Sequence, residues 1–90
     1  MAVEITCKKS NKPGCIVVSL SNGGGDSQIL VDAIRDASVF AQYDGSTRIL
    51  NAEITVERLK GALQATGIET TPPHTELLAQ ASQMFSGRPL

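Results

Sequence analysis

Ninety residues, 41% of them hydrophobic and 19% charged, are enough for one small globular domain and too apolar for a disordered chain. A net charge of −1 and a pI near 5.7 leave no global positive field to draw the chain onto nucleic acid or an anionic membrane. Two cysteines and one histidine supply neither a disulfide framework nor a four-ligand zinc site, so no metal and no cofactor is expected. The aromatic residues are Phe40, Tyr43 and Phe85 alone. The core must therefore be aliphatic, and assembly with other copies is an expected source of extra stability.

Charged residues interrupt the first twenty positions, so no signal peptide is read there. No apolar run reaches the roughly 18 residues of a membrane span. A cytoplasmic location is the resulting expectation.

In residues 2–8, Val3, Ile5 and Cys7 alternate with Glu4, Thr6 and Lys8, the pattern of a half-buried strand. Residues 15–20 are β-branched and nearly all apolar, which predicts a central strand covered on both faces. Turn formers at 9–14 join the two as a hairpin. A symmetric loop would set Cys7 opposite Cys15, Ile5 opposite Val17 and Val3 opposite Ser19.

The run Ser21-Asn22-Gly23-Gly24-Gly25 breaks the second strand. Asp26 or Ser27 is then placed to cap a helix predicted over 27–43, with Leu30, Ile34, Ala37 and Ala41 on one stripe, widened by Ile29, Ala33 and Phe40. Residues 47–54 suit a short extended piece, although a helix could also begin at Asn51. Thr55 is expected to cap a helix over 56–66 that Gly67 ends. Pro72-Pro73 makes 68–74 a stiff connector. The third helix, 75–86, places Leu77, Leu78, Ala81, Met84 and Phe85 on one stripe. Residues 87–90 read as a short flexible tail.

The expected fold is one α+β domain over 1–90: an N-terminal β-hairpin, or a small three-stranded sheet, packed against three α-helices in the order β-β-α-(β)-α-α. Leu30, Ile34, Leu63, Leu77, Ala81 and Val17 are its expected core. The stretch Asp32-Ala33-Ile34-Arg35-Asp36-Ala37, followed by Ile54-Thr55-Val56-Glu57-Arg58-Leu59, resembles the helix–strand–helix of AAA+ lid domains and histone folds in its helix-pair grammar. No Walker loop accompanies it, and the basic residues of a histone fold are missing, so neither ATP hydrolysis nor DNA binding is carried over.

Four groups of residues invite a functional reading. Gly23, Gly24, Gly25 and Ser27 lie between a strand and a helix, where bare N–H groups and the helix dipole can hold a phosphate or nucleotide. Asp26 puts a carboxylate in the same place, which argues for a plain link. Lys8, Lys9 and Lys12 form a basic hairpin that could grip an acidic protein surface or a nucleic-acid groove; no aromatic residue is interleaved for base stacking. Met84 and Phe85 could form a seam between copies. Ser27, Asp26 and His74 hold the residue types of a hydrolytic triad but lack a G-x-S-x-G elbow, and Cys7 with Cys15 could be redox partners or small buried apolar groups.

A non-enzymatic binding or regulatory protein, acting through protein–protein contacts as a homo-oligomer, is the expected function. A phosphate or nucleotide binder using 21–27 is the first alternative, and a nucleic-acid binder using hairpin 8–12 the second. The expected partner is another protein or a second copy, and no membrane.

Overall fold

The computed structural model describes the backbone of residues 2–86 and the side chains of residues 2–84. The strands are β1 (Val3–Lys9), β2 (Cys15–Ser21), β3 (Phe40–Asp44), β4 (Ile49–Thr55) and β5 (Thr70–Thr71). The helices are α1 (Asp26–Ala37), α2 (Val56–Thr66) and α3 (His74–Ser86). The expected tail 87–90 and the Phe85 side chain lie outside the described residues.

The α+β class, the N-terminal hairpin and the three helices are as expected, with a larger sheet. It has five strands in the order β3-β4-β2-β1-β5. All pairings are antiparallel except that of β5 with β1. The extended reading of 47–54 holds from Ile49 onward, where β4 pairs with β2 along its whole length; Thr47 and Arg48 belong to the turn before it.

The hairpin register differs from the symmetric one. Ile5 pairs with Leu20, Cys7 with Val18 and Lys8 with Val17. Opposite residues in an antiparallel ladder share a face, so Val3, Ile5 and Cys7 join Ile16, Val18 and Leu20. The symmetric register would have matched them with Cys15, Val17 and Ser19 and turned the three largest apolar residues of β2 to solvent. On its other side β2 meets the same demand: Leu50, Ala52 and Ile54 of β4 stand opposite Leu20, Val18 and Ile16.

Helix α1 is shorter than its apolar stripe. It ends at Ala37, where Ser38 turns extended and sends both its N–H (3.3 Å) and its Oγ (2.7 Å) to the Arg35 carbonyl. Arg58 Nη1 donates to the Ala37 carbonyl (3.4 Å), a cation at the negative end of the helix dipole. The chain then forms β3 against the free edge of β4, and Val39 N–H donates to the Glu53 carbonyl (2.7 Å). Residues 40–43, expected on the helix, are strand. The two-stranded β3–β4 hairpin separates α1 from α2, where the AAA+ lid and histone resemblance implies a single small strand.

The other two helices follow their local signals. Thr55 Oγ1 accepts from Arg58 N–H (3.2 Å), and Gly67, at φ 64°, donates to the Leu63 carbonyl (3.0 Å) as a left-handed cap. Helix α3 starts after Pro73, whose carbonyl accepts from Leu77 N–H (2.8 Å).

All three helices cover one face of the sheet. Leu30, Val31, Ile34, Leu59, Leu63, Leu77 and Ala81 meet Ile16, Val18, Leu20, Leu50, Ala52 and Ile54 in one cluster, each almost wholly buried. The expected core residues are all there except Val17, which lies half-buried on the opposite, uncovered face. Central in the sheet, β2 is nonetheless covered on one face only. Among the described residues no helix is long and apolar enough to cross a membrane.

Candidate functional site

The two turns that flank β2 hold most of the residues singled out above. They lie at opposite ends of the strand, separated by its seven residues, about 20 Å.

At one end is the glycine loop. Asn22 Oδ1 accepts from Gly24 N–H (3.0 Å), and Ser27 Oγ accepts from Gly23 N–H (2.8 Å) while donating to the Gly24 carbonyl (2.7 Å). The N-cap of α1 is Gly25, with φ 59°, and no side chain caps the helix. Neither Asp26 nor Ser27 takes the expected capping role. Ser27 turns back to close the loop, and Asp26 sits in the first helical turn. Gly24 has φ 87°, a conformation that glycine adopts at little cost.

The loop forms part of a cleft of about 470 Å³ whose lining also includes Ala2, Glu4, Ser21 and Asp26. Two of the N–H groups that a phosphate would need are bonded within the loop, and two carboxylates face the space. Both features oppose an anion. Asp44 stands in the same cross-strand row as Ile49, Ser21 and Glu4. Hydrogen bonds from the Ser46 hydroxyl and N–H, and from Thr47, lower its pKa and keep it charged.

At the other end is the β1–β2 turn. Ser10 Oγ donates to Glu53 Oε2 (2.8 Å) and accepts from Lys12 N–H (3.0 Å); Cys15 N–H donates to the Lys12 carbonyl (3.2 Å), and Gly14 takes φ 80°. Beside this turn lies a groove of about 820 Å³ between it and the last part of α3, lined by Lys9, Lys12, Pro13, Cys15 and Met84 among others. Lys9, Lys12 and Met84, far apart in sequence, thus meet. Lys8 is exposed on the uncovered face opposite Val17. Among the described residues the one ion pair is Arg35–Asp32 (4.0 Å), so the three lysines of this end have no carboxylate within pairing distance.

The remaining candidates are not brought together. His74 Nε2 donates to the Ile68 carbonyl (2.6 Å), tying the start of α3 to the preceding loop, while the Ser27 hydroxyl is held in the glycine loop. The two make no hydrogen bond with each other, so the triad has no geometric basis. The cysteines are not cross-strand neighbours: Cys7 faces Val18 and the core, and Cys15 faces Thr55. Both are free, and burial pushes the Cys7 thiol up to about 11, which suppresses its thiolate. Among the described residues no group of His, Cys, Asp and Glu is placed to hold a metal ion.

Sequence reasoning passed over Glu4 as a partner of Asp26, and Pro13 and Cys15 as groove residues, because nothing local links them. Phe40, expected on a buried helix stripe, is 59% exposed on the uncovered sheet face. No protein-family model matches the chain, and neither a curated protein nor a solved structure matches it significantly.

Proposed function

We propose that this is a non-enzymatic binding protein that works through protein–protein contacts, and that its contact surface is the groove between the β1–β2 turn and α3. The supporting observation is the convergence of Lys9 and Lys12 with Met84, Pro13 and Cys15 around one open groove. An apolar floor with an unpaired basic rim suits a protein surface carrying carboxylates around an apolar centre. The turn is already held by its own hydrogen bonds, so docking orders little that is not ordered beforehand. Two free cysteines suit the reducing environment of the cytoplasm.

A photo-crosslinking residue at Asn11 tests the reading. Irradiated in extract, it should capture a defined protein partner, and Lys9→Ala with Lys12→Ala should abolish the capture while an unchanged melting curve shows the fold intact. Capture that ignores both substitutions would overturn it.

A further inference from the structure

We propose that the two ends of this protein are the two halves of one interface, with the lysine-bearing turn of one copy docking against the acidic glycine-loop cleft of the next, so that copies assemble head to tail. This rests on the reading of the β1–β2 end as a protein-binding surface and names its occupant.

Topology separates charge along the strands. Lys8, Lys9 and Lys12 gather where β1 meets β2, and Arg58, at the start of α2, adds a fourth cation at the same end; the carboxylates there are Glu53, bonded to Ser10, and Glu57, so the end keeps an excess of positive charge. Glu4, Asp26 and Asp44 gather at the other end, around the glycine loop and the β3–β4 turn. The backbone of Glu69 is also there, its carbonyl accepting from Val3 N–H (3.0 Å). Among the described residues Arg48 is the one basic residue beside that loop, and its carbonyl accepts from Asn22 N–H (2.7 Å).

A copy cannot satisfy its own ends, because the length of β2 stands between them. Opposite charge on two separated patches of one chain is therefore complementarity between copies. A two-fold dimer through either end would set lysine against lysine or carboxylate against carboxylate, which costs free energy and disfavours that arrangement. The remaining arrangement is heterologous, with each copy giving its turn to one neighbour and its cleft to another, and it propagates until a ring closes or a filament grows.

Both regions are held in place before contact. The β1–β2 turn, one wall of the groove, is braced against β4 by the Ser10–Glu53 bond. The cleft, at about 470 Å³, is a concavity whose loop is fixed by Asn22 and Ser27. Both halves exist before contact, so the ordering cost of association is small.

The test uses the whole chain in sedimentation velocity at roughly 50 µM, in about 50 mM and about 300 mM salt. The wild type should sediment as species larger than a dimer in low salt, with apparent affinity falling at least about tenfold in high salt as screening weakens the contact. One variant, Lys9→Ala with Lys12→Ala, disables the turn; another, Glu4→Gln with Asp26→Asn, disables the cleft. Each should be monomeric alone. Mixed in equal amounts they should form a 1:1 heterodimer and nothing larger, since one intact turn and one intact cleft remain between them. These four positions are exposed, so in high salt the lysine variant should melt with the wild type and the Glu4→Gln with Asp26→Asn variant slightly below it, by the helix-dipole contribution of Asp26, which confirms that loss of assembly is not loss of fold.

A wild type that stays monomeric in low salt would overturn the proposal, as would a variant that still assembles or a mixture that gives no heterodimer. If the wild type is monomeric yet Asn11 crosslinks a different protein in a Lys9- and Lys12-dependent way, the head-to-tail inference falls and the binding reading stands. If the heterodimer forms, both stand.

Discussion

Along β2 a single strand presents two faces that serve different ends. Ile16, Val18 and Leu20 point into the cluster beneath the three helices and are almost wholly buried. Val17 and Ser19 point the other way, into a sheet surface that no helix covers. There the neighbours across the strands form a polar row of Gln42, Asn51, Ser19 and Thr6, in which Ser19 Oγ donates to Asn51 Oδ1. The lesson is one of separation. The stability of an antiparallel sheet can be confined to one covered face, and hydrogen-bonding side chains let the other remain in water. The turns at the two ends belong to neither face and can carry binding chemistry without disturbing the core.

Substitutions on the two faces sharpen that contrast, and the largest effect belongs to the covered one. Leu77, at 0% exposure, anchors α3 on the sheet. Leu77→Ala should lower unfolding free energy by about 2–5 kcal/mol in urea titration, and a change below about 1 kcal/mol would break the contrast. Helix caps come next. Thr55→Ala removes a bond to Arg58 N–H and should cost about 1 kcal/mol, whereas Asp26→Ala removes no cap and should lose only the dipole contribution of about 0.3–1 kcal/mol. Equal losses at both positions, measured as shifts in the urea midpoint, would mean that the glycine cap of α1 is not as described. On the uncovered face, Phe40→Ser should move stability by no more than about 0.5 kcal/mol.

One further effect is confined to alkaline pH. The Cys7 thiol is held neutral by burial, its pKa raised from 9.0 to about 11. A raised acid pKa stabilises the fold while the unfolded thiol is still protonated, and that contribution is lost as pH climbs from about 9 to about 11. Cys7→Val should flatten the fall of the urea midpoint over this window. A slope identical to that of the wild type would show that the thiol is as hydrated in the folded state as in the unfolded one.

Features with local causes were legible in the sequence. Thr55 and Gly67 frame α2 because an N-cap oxygen and a left-handed glycine act within one turn of the helix. The stripe of Leu77 and Ala81 marked α3, alternation marked β1, and a β-branched apolar run marked β2. Features set by distant partners were not legible. Phe40 and Ala41 fit a helix stripe as well as a strand, and the open edge of β4 decides between them. The hairpin register is decided by β4 too, since Leu50, Ala52 and Ile54 demand the face that holds Val18. At the candidate site, Lys9, Lys12 and Met84 could be named from residue type and position. Their meeting in one groove, and the pairing of Glu4 with Asp26 in one cleft, depend on how α3 and α1 lie against the sheet.

The two-residue strand β5 has a consequence for the chain as it is being made. Val3 and Glu4 pair with Thr70 and Thr71, which are synthesised 67 residues after them. Leu77 and Ala81, which cover β1 and β2, emerge later still. At ordinary elongation rates the first strand waits on the order of several seconds with its apolar row of Val3, Ile5 and Cys7 uncovered. During that interval the growing sheet is an open edge, and a nascent-chain chaperone that shields extended apolar segments would find it there until α3 arrives and closes it.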